Sequence, residues 1–250
     1  MKKIGKRHIV IPDCQVKHGV KTDHLEACGN YIAEKQPDSV ICLGDFADMP
    51  SLSRWDPKGS MSAEMRRYSK DILAARIGMT ILMDPIKAVK GYDPKLILTL
   101  GNHEAHITRT IEDDPKLEGV IDLKDLQYEK WGWKVVPFLK PIKVDGVMYS
   151  HYFVTGVYDK AIGRASQLLT KYHMSCIAGH QQGRDIAYSK KADGSTITGI
   201  IAGSFYEHEE DYLSPQSNNH WRGIYMLNEV RNGSFDEMAV SLNFLKRKYL

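Results

Sequence analysis

The sequence predicts an α/β fold in which two β-sheets pack together with helices outside. Three observations predict it. Apolar strand patterns and helical patterns alternate through the first half of the 250-residue chain, the second half is richer in strands, and five short polar clusters each follow a strand end. Those clusters are Asp13-Cys14-Gln15, Gly44-Asp45-Phe46-Ala47-Asp48, Gly101-Asn102-His103-Glu104, Ser150-His151 and Gly179-His180-Gln181-Gln182. The length fits one domain spanning 1–250 with a full core.

The run His8-Ile9-Val10-Ile11-Pro12 reads as a strand that delivers Asp13. A helix follows over 23–35, with Thr22 or Asp23 as its cap and Pro37 beyond its end. Ser39-Val40-Ile41-Cys42-Leu43 is the strand leading to Asp45, and a polar loop over 50–60 holds Trp55-Asp56-Pro57-Lys58-Gly59. A long helical pattern over about 62–90 repeats Met65, Tyr68, Ile72, Ala75, Met79, Leu82 and Ile86 every three or four residues, a core-facing stripe. Pro85 is expected to break or kink it. Leu96 to Leu100 forms the next strand, followed by a short helix through Ile111 and a solvated acidic turn, Glu112-Asp113-Asp114. Strands are then expected over 133–138, 147–153, 175–178, 185–189, 195–203, 223–230 and 235–242. Ala192-Asp193-Gly194 and Arg231-Asn232-Gly233 are turns among them, and one helix, over about 159–172, interrupts. Lys246-Arg247-Lys248 reads as a solvated tail.

Lys and Arg number 34 against 31 Asp and Glu, so the net charge of +3 steers little toward nucleic acid by itself. Cys14, Cys28, Cys42 and Cys176 lack zinc-site or disulfide-framework spacing, and three lie in or beside apolar strands, as reduced, buried thiols do. No stretch reaches the ~18 apolar residues that span a bilayer, and the start of the chain lacks the apolar core of a signal peptide. A soluble, cytoplasmic protein with no membrane partner is expected; the oligomeric state is not legible.

Strands that deliver Asp, Asn and His to one end of a sheet build a site from residues distant in sequence. Carboxylates, an amide and imidazoles converging there suit a pair of divalent cations, and hence a two-metal hydrolase. Taken singly, each residue has an ordinary alternative: a strand-end Asp or Asn as a turn residue, a lone His as a hydrogen-bonded one. Five such clusters in order make the joint pattern specific.

The order of these segments resembles the calcineurin-like metallophosphoesterase superfamily, whose signature reads D-x-H, G-D-x-x-D, G-N-H-[DE], a lone His, then G-H-x-H. The resemblance covers about 13–182 and is strongest toward uncharacterised phosphoesterases of bacteriophages and bacteria. Two positions depart: Gln15 and Gln182 stand where the pattern has His. The resemblance implies a four-layer αββα arrangement and two metals bridged by Asp45. Asp13 and Gln15, two apart on an extended segment, would reach the first metal together; Asn102, His151 and His180 would complete the second. Gln182 is either a ligand of the first metal, a holder of water or a substrate contact. Oxygen donors at the first site suit Mn²⁺ or Mg²⁺, and imidazoles at the second suit Mn²⁺, Fe²⁺ or Zn²⁺, with Mn²⁺ common to both.

His103 matches the superfamily's catalytic His, and Asp48 the carboxylate that hydrogen-bonds it and raises its pKa. The nucleophile would be a metal-bound water. The phosphate-binding Arg that follows in protein phosphatases is absent, Met49-Pro50 standing there, which counts against that activity. Arg54, Arg184 and Arg222 are the candidates to replace it, against the ordinary reading of a surface Arg as solvated. The segment from Phe205 to Tyr212, with His220-Trp221-Arg222, reads as a loop near the site. Tyr206 or Trp221 could stack a base there beside His208, with Arg222 on phosphate; aromatics packed under a loop are the alternative. The expectation is a phosphodiesterase acting on nucleic acid or nucleotides. The alternatives are a small-nucleotide phosphomonoesterase or pyrophosphatase and, in another class, a non-catalytic scaffold whose first metal site has decayed.

Overall fold

The structure, a computed structural model, describes residues 5–54, 64–210 and 214–250. The readings on Trp55 to Gly59, on the start of the long helical pattern, and on Asp211 and Tyr212 lie outside those residues. The fold is mixed α/β, with several sheets and six α-helices among the described residues.

In chain order, β1 (Lys6–Ile11), α1 (Asp23–Lys35), β2 (Ser39–Cys42), α2 (Tyr68–Ala88) and β3 (Lys95–Thr99) alternate as the apolar pattern predicts. They are followed by α3 (Ala105–Asp113), β4 (Lys134–Val136), β5 (Ile142–Val144) and β6 (Val147–Ser150). A short ribbon, β7 (Val154–Thr155) and β8 (Lys160–Ala161), precedes α4 (Ala165–Tyr172), β9 (Cys176–Ala178), β10 (Arg184–Lys190) and β11 (Thr196–Ala202). The short α5 (Pro215–Asn218), then β12 (Gly223–Arg231), β13 (Ser234–Ser241) and α6 (Leu242–Tyr249) complete the chain.

The larger sheet has the order β13-β12-β1-β2-β3-β4, parallel from β1 to β4; the second has the order β10-β11-β9-β6-β5, with β6, β9 and β11 parallel. Successive residues on a strand face opposite ways, and here both faces are covered. Ile9, Ile11, Val40, Cys42, Leu96 and Leu98 belong to a core shared with Leu25 and Ile32 of α1 and Met79 and Leu82 of α2. The residues between them, Val10, Ile41 and Ile97, belong to a second core shared with Tyr149, Ile177 and Ile200 of the other sheet. A third core joins Cys176, Ala178 and Ile201 to Ala165 and Leu168 of α4. This placement of β1, β2, β3, β6 and β9 brings the residues just beyond their C-terminal ends together.

Several local expectations are corrected. The helix expected over 159–172 begins only at Ala165, because Asp159 adopts a left-handed φ of 50° and Lys160–Ala161 pairs as a strand with Val154–Thr155. Met65 is 69% exposed and not part of the α2 stripe. Pro85 lies inside α2 near its last turn and does not end it. The basic run 246–248 is not a loose tail: it lies on α6, capped by the Ser241 side chain, which accepts a hydrogen bond from the Phe244 amide. Leu242 and Leu245 bury α6's apolar side, and Lys246 pairs with Asp23 at 3.1 Å and Glu207 at 2.5 Å. All four cysteines are buried and free. No helix among the described residues is long and apolar enough to cross a membrane.

Candidate metal centre

The loop after β2 is shaped by backbone strain and by one buried carboxylate. Asp45 has a left-handed φ of 47°, which costs an L-residue free energy unless its surroundings enforce it. Glu104, fully buried, enforces it. Its Oε2 accepts the amides of Asp45 (3.0 Å) and Gly101 (2.9 Å); its Oε1 accepts those of Phe46 (2.8 Å) and Ala47 (3.1 Å) and the Tyr128 hydroxyl (3.2 Å). Gly101 is required for this closeness, since a Cβ there would lie 2.0 Å from Asp45 Oδ1. The Gly-Asp-x-x-Asp and Gly-Asn-His-Glu turns are thus fastened to one another through a residue that sequence reasoning gave no role.

Asp45, Asn102, His151 and His180 converge. His151 Nε2 lies 2.8 Å from Asn102 Oδ1 and 3.2 Å from Asp45 Oδ2, and His180 Nδ1 lies 2.9 Å from Asn102 Oδ1. The ligand atoms of Asp45, His151 and His180 all fall within 4.8 Å of one another. His151 Nδ1 lies 2.8 Å from the Leu43 carbonyl and must donate to it, which fixes the ring and leaves Nε2 a lone-pair donor facing two oxygens. With the Asn102 oxygen turned toward both imidazoles, a second proton on His151 or a cation among those atoms satisfies the lone pairs. Burial opposes a charged His151, but Asp45 outweighs it and pushes the imidazole up to about 9. Burial resists ionisation of Asp45 too, yet His151 and His103 hold its carboxyl below the usual range. His180 is pushed down to about 4 by burial and by His151, so its ring is neutral, as a metal ligand must be.

Asp13 stands beside this group, fully buried, its carboxylate accepting the His180 amide at 3.0 and 3.1 Å and lying 4.0 Å from His151 Nδ1. Burial pushes it up to about 7, against the pull of His151. Two buried carboxylates so placed fit a cation that would neutralise both. Gln15 is buried, but it is not on the extended segment expected: its φ is 42°, and its amide and that of Cys14 both donate to the Asp45 carbonyl. Gln15 therefore does not share a strand face with Asp13.

His103 Nδ1 lies 2.8 Å from Asp48 Oδ1 and 2.7 Å from the Asp48 carbonyl, and its Nε2 points to Asp45 at 3.7 Å. Burial opposes the imidazolium, but Asp45 and Asp48 outweigh it and raise the pKa well above the ordinary value. A protonated imidazole beside the convergent ligand atoms can supply charge and a proton. Behind it, Lys17 pairs with Asp48 at 3.0 Å and with Glu210 at 2.8 Å, and Glu210 also meets His208 Nε2 at 2.5 Å. Lys17 carried no sequence signal, and its pairing with Glu210, 193 positions on in the loop read as near the site, is made by tertiary structure.

Gln182 lies on the Asp13 side. Its Nε2 approaches Asp13 at 3.5 Å, and its Oε1 accepts the Tyr206 hydroxyl at 2.9 Å. Tyr206 is fully buried, stacked on His208 at 4.6 Å with Arg222 over its ring at 4.9 Å, so it has no face to offer a base. Arg222 donates to the carbonyls of Glu207 (2.7 Å) and Asn218 (3.2 Å), holding the loop together. Tyr206, expected to stack a base, is packed beneath the loop and supports Gln182 instead, as the alternative of aromatics packed under a loop has it. Arg54 pairs with Asp113.

No family model matches the sequence. The chain is 28% identical over 188 residues to the Gene 54 protein of Mycobacterium phage D29, covering 71% of this chain and 69% of that protein. It is 26% identical over 183 residues to the Gene 54 protein of Mycobacterium phage L5, with the same coverage.

Proposed function

We propose that the protein is a two-metal-dependent phosphoesterase, a phosphodiesterase acting on nucleic acid or nucleotides. The observation that carries this is the convergence of Asp45, Asn102, His151 and His180 lone pairs beside an ion-paired His103. Asp13, Gln15 and Asp45, with Gln182 adjacent, would hold one cation; Asp45, Asn102, His151 and His180 would hold the other, with Mn²⁺ the best match to both donor sets. When bound, such cations supply Lewis acidity toward a phosphoryl oxygen and acidify a water for attack. His103 donates a proton to the departing alkoxide, and Asp48 keeps that imidazole charged and aimed. The core that draws on both sheets, with α1 and α2 on one outer side and α4 on the other, supports the four-layer αββα reading of the fold.

Hydrolysis of bis-p-nitrophenyl phosphate with added Mn²⁺, compared with p-nitrophenyl phosphate, tests both the class and the diester preference. Asp45→Asn removes the carboxylate that would serve both cations and should abolish turnover while lowering bound metal. Full activity with full metal content in that variant overturns the two-metal assignment. Greater turnover of the monoester favours the phosphomonoesterase alternative.

A further inference from the structure

Two clefts meet at Trp221 and Ser241. One, of about 390 Å³, is bordered by Tyr206, Asn218, Arg222 and Glu207, the last paired with Lys246 at 2.5 Å; the other, of about 520 Å³, by Tyr31, Lys35, Arg184, Phe244 and Lys248. Their shared wall is close to the metal centre. A Cβ at Gly203 would meet the Trp221 indole at 3.4 Å and the Gln182 carbonyl at 3.5 Å, and the next residue, Ser204, bridges to Asp13. The Arg184 guanidinium lies over the Trp221 ring at 4.8 Å, a planar cationic layer fixed from beneath. Further out, Phe244 is 39% exposed and Lys248 lies 6.0 Å over its ring.

Three cations and no carboxylate stand among the described residues lining the outer cleft. Glu34 at its edge contacts Lys35 (2.6 Å) and Lys248 (3.5 Å), which leaves the surface cationic after pairing. A cationic groove interleaved with planar groups matches a strand of phosphates carrying unpaired bases. Only unpaired bases can stack on Arg184 and Phe244, because the base faces of a duplex already stack on one another.

We infer that the joined clefts, from Trp221–Arg184 to Phe244–Lys248, bind single-stranded nucleic acid and lead it to the metal centre. This rests on the phosphodiesterase reading for the chemistry at its inner end and deepens it by naming a single strand as the substrate class. Neutralising three phosphates would give a log–log salt slope of about −2 for a single strand.

The test is fluorescence anisotropy of the full chain with a labelled twelve-residue oligo-dT in EDTA, where no turnover occurs, and with a duplex of equal length. Wild type is expected to bind the single strand in preference, with that slope. Lys35→Glu with Lys248→Glu should weaken binding and flatten the slope by about 1.4, two contacts' worth. Phe244→Ala, at a half-exposed position with little folding risk, should raise Kd on the order of fivefold or more while leaving the slope unchanged. Absence of binding, equal binding of the duplex, or Kd values indifferent to both variants overturns the groove. Hydrolysis of bis-p-nitrophenyl phosphate by wild type, a substrate too small to need the groove, reports separately on the phosphoesterase reading. Groove-dependent binding without that hydrolysis upholds the strand site and sinks the catalysis, and hydrolysis without groove-dependent binding does the reverse.

Discussion

Glu104→Gln isolates what fastens the site together. Four backbone amides converge on the two carboxylate oxygens, two on each. An amide side chain keeps one oxygen and turns an NH₂ toward the other pair, so two charge-assisted bonds are lost and donors face donors. At roughly 1.5–3 kcal/mol for each bond to a charged group, the loss is about 3–6 kcal/mol. Part of it is returned, because burial and the charge of Asp45 already disfavour the Glu104 carboxylate and push its pKa up. A net destabilisation of about 2–4 kcal/mol is expected. Urea denaturation followed by far-UV circular dichroism measures it, and the midpoint should fall with the slope unchanged. Since Asp45 loses the clamp on its left-handed backbone, Mn²⁺ affinity by calorimetry should fall in the same variant. A stability change under about 1 kcal/mol would refute the view that this carboxylate holds the two turns in place.

Three other perturbations bear on separate residues. His103→Gln should retain metal yet slow turnover roughly 10²–10⁴-fold, with a smaller defect for good leaving groups such as p-nitrophenolate; a uniform loss across leaving groups would instead give His103 a phosphate-binding role. Gln182→His should lower the Mn²⁺ concentration for half-maximal diesterase rate if that position ligates the first metal, whereas a changed KM with an unchanged metal midpoint would retire the ligand role. His24, buried in α1 and pushed down to about 4 by burial, stays neutral in the fold while the unfolded chain takes up a proton near 6.5, so stability falls as pH drops from 6.5 toward 4. That amounts to about 2 kcal/mol by pH 5; His24→Leu should flatten the denaturation midpoint against pH over this window, and an unaltered profile would exclude His24 as its source.

How much was legible follows from the range of each interaction. The strand-end clusters could be read because a buried strand writes its apolar run and its terminal ligand into adjacent positions, as Leu98 to Asn102 and Ile177 to His180 do. The left-handed Gln15 could not, since its φ is imposed by the Asp45 carbonyl thirty residues on, which accepts its amide. α6 was missed because its sequence, Leu-Asn-Phe-Leu-Lys-Arg-Lys-Tyr, carries a short apolar stripe under three consecutive cations, and only docking onto α1 reveals the stripe. Lys17 and Glu210 meet through tertiary structure alone.

The same distinction separates the two halves of the proposed metal centre. On the Asn102 side, two groups are held from the buried core: the Leu43 carbonyl fixes the His151 ring, and the buried Glu104 carboxylate fixes the amides around Asp45. On the Asp13 side, Gln182 is aimed by a side chain, the Tyr206 hydroxyl, which depends in turn on Arg222 binding the carbonyls of Glu207 and Asn218. Groups held from the core cannot reorient without disturbing the sheets, whereas a group held by a loop moves with that loop. Of the two departures from the metallophosphoesterase pattern, Gln182 is therefore the one held by a loop, and the affinity of the first cation proposed there should follow the state of that loop.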